Sequence, residues 1–90
     1  MSRLDRGAPL LETIGNSVSK RRSELGLSQE ELALKAGVHR TYISDVERGV
    51  RNVSILTLER IASAMDLPLG VLFIFGAPAN ATATTRKPRG

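Results

Sequence analysis

From Leu11 onward, apolar residues return at helical spacing. Leu11, Ile14, Val18 and Leu25 form one stripe, interrupted where Arg21 and Arg22 stand in place of another apolar residue. Gly26 suits the position just past a helix end, where positive φ is needed. Ser28 followed by Glu31 is a capping-box pattern, in which a hydroxyl and a carboxylate satisfy two orphan amides reciprocally. It predicts a short second helix, "QEELALKA", with Leu32, Ala33 and Ala36 facing inward and Gly37 as its stop. A third short helix is expected from about Arg40 to Arg48, ended by Gly49. After the loop "VRNV", Ser54 caps a fourth, "ILTLERIASAM", whose stripe is Leu58, Ile61, Ala62 and Met65. A turn at Asp66 and Pro68 leads to "LGVLFIF", read as a short fifth helix. No strand alternation and no internal repeat is visible. The expectation is an all-α chain: a compact bundle of five short helices over residues 10–75, a flexible arm at 1–9, and a disordered basic tail at 76–90.

Composition narrows the function. Ninety residues suit one small domain. Aromatic residues are few and tryptophan is absent, so the core must be aliphatic. Without cysteine there is no disulfide and no thiolate metal site, and the single histidine, His39, cannot hold zinc alone. His39 reads as a cap or turn residue before the third helix. The formal net charge is +4, of which Arg86, Lys87 and Arg89 in the tail supply three units. A near-neutral body with a basic tail is weaker evidence for a nucleic-acid partner than a uniformly basic domain. No signal peptide or membrane-length apolar run stands out, so the expected location is cytoplasmic, with no membrane partner. No nucleophile–base pair, metal cluster or phosphate loop appears, so neither an enzyme nor a cofactor is expected.

The second and third helices are too short to be stable alone, and only "GVH" joins them. Two short helices across such a turn make a helix-turn-helix, which thrusts its second helix outward. At about 100° per residue from Arg40, Ser44 falls near 40°, Thr41 near 100° and Asp45 near 140°, whereas Val46 and Ile43 fall near 240° and 300°. Ile43 and Val46 therefore share an anchoring side. Arg40, Thr41, Ser44 and Asp45 share the opposite one. The bland meaning of such an arc is a solvated face. The sharper meaning is a reading face, because the DNA major groove admits a helix. Arg40, at the entering turn, could bond guanine O6 and N7; Thr41 could meet a thymine methyl or a phosphate. Asp45 could accept from cytosine N4 or simply pair with Arg48.

Residues 26–73 resemble the helix-turn-helix domain of phage repressor and Cro-type (XRE-like) regulators, the lambda repressor-like DNA-binding fold. The likeness rests on "LSQEELA", "AGV", "YIS", "VERG" and "TLERIA" together. With Leu11–Leu25 as the first helix it takes in most of the chain. "RTYISDVERGVRNVS" is similar in particular to the controller proteins of restriction–modification systems, which are dimeric transcription regulators. The resemblance implies that Arg40 and Thr41 are the principal base readers, with Ser44 and Asp45 further along. It implies backbone contacts from Tyr42, Arg51, Asn52 and Ser54, and that Gln29 binds phosphate or braces the third helix. It also implies an ion pair between Arg22 and Glu47, which fits the stripe arithmetic turning Arg22 inward. The tail has no reliable counterpart in the family.

A single reading head covers few base pairs, so a homodimer on double-stranded DNA is expected. Leu69, Val71, Leu72, Phe73, Ile74 and Phe75 are too many apolar residues for one side of a short helix. Leu72 is assigned mostly to the core, and Leu69, Val71, Ile74 and Phe75 to the interface. The expected function is a sequence-specific DNA-binding transcription regulator on a near-palindromic operator. Activation would further need a patch facing RNA polymerase, which the residues do not point out. The competing class is an antitoxin-like protein-interaction module with autoregulatory DNA binding.

Overall fold

A computed structural model describes residues 4–77. Four α-helices follow in order: α1 (Leu4–Glu24), α2 (Gln29–Ala36), α3 (Arg40–Glu47) and α4 (Ile55–Ala64); a 3-10 helix, Leu69–Phe73, ends the fold. The expected five short helices are thus four plus a 3-10 turn, and the first is not short, at 21 residues. Pro68 opens the last segment, and its carbonyl accepts from the Val71 amide at 3.1 Å, a three-residue spacing too tight for an α-helix.

Helix α1 also begins inside the segment read from sequence as an arm. Pro9 lies within it. Lacking an amide hydrogen, Pro9 leaves the Asp5 carbonyl without its usual helical donor, and so the pattern around it resembles a helix start rather than a helix interior. Residues 1–3 of the arm and 78–90 of the tail lie outside the described residues.

The inward positions are Ile14 and Val18 of α1, Leu32, Ala33 and Ala36 of α2, Ile43 and Val46 of α3, and Leu58, Ile61 and Ala62 of α4. Met65 and Leu72 close the cluster from below, both with no exposed surface. Leu25 departs from its expected place on the first stripe, being 40% exposed. The helix stops at Glu24, so Leu25 leaves along the turn instead of continuing the stripe. Ser17 takes up part of the stripe instead. Its buried hydroxyl lies 2.8 Å from the Leu72 carbonyl and 2.9 Å from that of Thr13, and it accepts from the Gly76 amide at 2.7 Å. A polar group can sit in this core because both of its hydrogen-bonding capacities are used. It also fixes the end of the fold against α1.

Helices α2 and α4 are closed locally. Ser28 and Glu31 form the reciprocal capping box of α2. Gly37 ends α2 with φ 75°, and the Val38 amide turns back onto the Ala33 carbonyl at 3.0 Å. Ser54 caps α4 by accepting from the Thr57 amide at 3.1 Å. The tight packing of α1 on α3 depends on Gly15: a Cβ there would lie 2.5 Å from the Val46 carbonyl oxygen and 2.7 Å from that of Glu47. The two backbones meet with no side chain between them, and this sets the height at which α3 stands off the bundle.

Candidate nucleic-acid interface

Helix α3 is divided as the angular arithmetic requires. Ile43 and Val46 are 0% and 1% exposed, while Arg40 and Thr41 are exposed and Ser44 and Asp45 partly so. The anchoring residues are sealed into the core, so the opposite arc can only face outward. His39 stands at the position before the helix, and its side chain makes no capping bond.

Two clusters flank this arc. On the inner flank, Glu47 receives a forked hydrogen bond from Arg22, Nε to Oε2 at 2.6 Å and Nη2 to Oε1 at 3.0 Å. Gln29 Nε2 donates to the same Oε1 at 3.0 Å, and Arg22 Nη1 to the Leu27 carbonyl at 2.8 Å. The Glu47 carboxylate thus ties α1, α2 and α3, while Arg22 also holds the turn before α2. The Arg22 and Glu47 side chains are only 18% and 8% exposed. The Glu47 hydrogen bond raises the Arg22 pKa further above its already high value, against an opposing effect of burial. Through its bond to Oε1, Gln29 ties α2 to Glu47 of α3.

On the outer flank, Asp45 Oδ1 accepts from Arg48 Nη2 at 2.9 Å and Oδ2 from Arg51 Nη2 at 3.2 Å. The hydrogen bond from Arg48, then that from Arg51, hold the Asp45 carboxyl below the ordinary carboxylate range. The Arg51 guanidinium lies 4.5 Å from the centre of the Tyr42 ring, within cation–π range. Tyr42 is half-buried against the core. Asn52 and Ser54 are exposed beside this cluster, and Ser54 is already engaged as the α4 cap. Tyr42, Asp45, Arg48 and Arg51 are thus joined in one cluster, and Arg22, Gln29 and Glu47 in another, while Arg40 and Thr41 stand exposed on α3.

A model of the helix-turn-helix family matches residues 18–72. The chain belongs to the helix-turn-helix family. Among its relatives is the control protein C.BamHI of Bacillus amyloliquefaciens, 53% identical over 47 residues, covering 52% of this chain and 58% of that protein. The match thus spans little more than half of C.BamHI. Among solved structures, the restriction–modification controller protein C.AhdI of Aeromonas hydrophila superposes with a TM-score of 0.68 at 41% identity, covering 70% of this chain and 96% of that one. The controller protein C.Esp1396I, solved as a tetramer in complex with its natural 35-base-pair operator, gives 0.67 at 39% identity over 74% of this chain and 88% of that one. Within the family frame, α2 and α3 are the helix-turn-helix pair and α3 is the presented helix.

The four residues expected at an interface sit at the end of the described fold. Ile74 is 68% exposed; Leu69, Val71 and Phe75 are half-buried, and Lys20 Nζ lies 4.4 Å from the centre of the Phe75 ring. Leu72 is fully buried. Among the contacts not legible in sequence are the Gly15 crossing, the Ser17 hydroxyl, and the bond from Arg21 Nε to the Met65 carbonyl at 3.1 Å. A glycine and a serine on an otherwise apolar helical face were the available signals for the first two. Among the described residues no helix is long and apolar enough to cross a membrane, and no group of three or more His, Cys, Asp or Glu could hold a metal.

Proposed function

We propose that this chain is a sequence-specific DNA-binding transcription regulator that acts as a homodimer on a near-palindromic operator, in the manner of a restriction–modification controller. The observation that carries the reading is the division of α3: Ile43 and Val46 sealed in the core, Arg40 and Thr41 exposed on the opposite arc. A helix anchored so firmly on one side presents a fixed row of polar groups, which is what reading base edges in the major groove requires. Arg40 and Thr41 are the principal base readers, with Ser44 beside them. Tyr42, Arg51, Asn52 and Ser54 meet the sugar-phosphate backbone and set register. The likeness to a controller crystallised on its operator supports the same docking.

Dimerisation uses the apolar end of the fold. Ile74, Val71, Leu69 and Phe75 offer surface that a second copy can cover. Two copies related by a twofold axis place their α3 helices about 34–36 Å apart, one turn of DNA. Occupying an operator in this way would repress by excluding polymerase, whereas activation would need a polymerase-facing patch.

Selection of bound duplexes from a random pool tests the proposal. The expected product is one near-palindromic motif whose half-sites are one helical turn apart. Recovery of no motif would overturn the reading function, and an asymmetric single half-site bound by a monomer would overturn the dimer.

A further inference from the structure

The proposed function leaves Asp45 in an awkward place. A carboxylate on a face turned toward DNA is repelled by phosphates, yet here it stands beside the base-reading residues. Its surroundings give it a different task from reading. Each carboxylate oxygen faces one guanidinium, Oδ1 that of Arg48 and Oδ2 that of Arg51. Arg51 is held from a second direction by the Tyr42 ring, itself packed on the core. The result is a continuous chain of contacts from the hydrophobic core through Tyr42 and Arg51 to Asp45 and Arg48. For Asp45 to accept from a cytosine, it would have to share or give up one of these arginines.

We propose that Asp45 is a positioning residue that sets specificity by tethering Arg48 and Arg51, rather than by touching a base; the inference rests on the DNA-reading function above. Two classes of complex respond differently to such a tether. Binding to arbitrary sequence grows with the number of cations free to displace counterions from the duplex, and needs no fixed direction. Binding to the operator needs its cations at particular phosphates, in register with Arg40 in the groove. One negative charge set against two positive ones lowers the first kind of binding. Holding Arg51 between a carboxylate and an aromatic face serves the second. Arg51 is the more constrained cation, its side chain 43% exposed and stacked on Tyr42, against 63% for Arg48, whose side-chain partner among the described residues is Asp45. Arg51 is accordingly the register-setting contact, and Arg48 the cation whose non-specific attraction is muted.

The test compares the full chain with its Asp45→Asn variant, by fluorescence anisotropy, on the selected operator and on a scrambled duplex of equal length across a salt series. Asp45→Asn frees one unit of positive charge per α3. Its affinity for the scrambled duplex is expected to rise on the order of tenfold near 0.1 M salt, with log K falling more steeply against log salt by about 0.9 for each α3 engaged. Operator affinity should change less, because the added charge is offset by lost register, so the specificity ratio falls. Asp45→Glu, which keeps the charge, should return the salt slope to that of the parent. Arg51→Gln should weaken operator binding more than scrambled binding. An unchanged slope and ratio in Asp45→Asn would overturn the tether. So would a loss of preference confined to one base pair, which would mark Asp45 as a base reader. A parent chain with no preference for its selected duplex would instead remove the reading function itself, and this inference with it.

Discussion

Two carboxylate–arginine clusters sit on opposite flanks of α3, built from the same chemistry and put to different ends. Glu47 is 8% exposed, gripped in a fork by Arg22 and bonded again by Gln29. Asp45 is 21% exposed, and the arginines it holds are 43% and 63% exposed. In the first cluster the charges are largely shielded from water, and each depends on the other: removing one leaves a mostly buried charge uncompensated. In the second, water and salt screen the pair, and an exposed pair of this kind adds little to stability. Sequence spacing alone does not separate the two cases. Burial does: one cluster is enclosed between α1, α2 and α3, and the other stands at the surface.

Removing a partner from the inner cluster should produce the largest change. Glu47→Ala is expected to cost about 3 kcal/mol in urea unfolding, the low end for a buried pair because Arg22 keeps some water contact. A loss no larger than that of an exposed pair would erase the contrast between the flanks. Gly15→Ala, at the crossing directly behind Glu47, should cost about 1–3 kcal/mol through overpacking, since the atoms its Cβ meets are backbone carbonyls that cannot swing aside. Ser54→Ala removes the α4 cap and should cost about 1 kcal/mol. Asp45→Asn closes the series: its thermal unfolding curve should overlay the parent's, although its binding to DNA changes. Acid sharpens the same point. The folded carboxyl of Asp45 titrates below its unfolded value, so the small contribution of this pair is present above the unfolded pKa and lost only as pH falls through the lower folded one. From pH 7 to 5, the outer tether should therefore persist, as read by the salt slope of binding.

Much of the fold around these clusters was open to sequence reasoning, for physical reasons that differ by residue. Helix ends were legible because their signals are local: Ser28 with Glu31, Gly37, and Ser54 each act within a few residues, and their hydrogen bonds stand where spacing put them. The burial of Ile43 and Val46 followed from the 3.6-residue period. The start of α1 did not follow, because Pro9 imitates a helix boundary while lying inside the helix. The Gly15 crossing and the Ser17 hydroxyl depend on which backbone approaches from far along the chain, and no local pattern carries that. Asp45 shows the limit most clearly. Angular arithmetic placed it on the reading arc and offered Arg48 as a partner, but the approach of Arg51 from the following loop, with Tyr42 beneath it, required the folded chain.

The central claim is that α3 keeps its reading and its anchoring residues apart. Anisotropy titrations of Arg40→Ala against the selected operator and a panel of single-base-pair variants, run beside thermal unfolding, test it most directly. The expected result is an unfolding curve matching the parent, with discrimination of about 1–3 kcal/mol lost at one base pair in each half-site and retained elsewhere. An even loss across the whole panel, or a marked loss of stability with the exposed arginine gone, would contradict it.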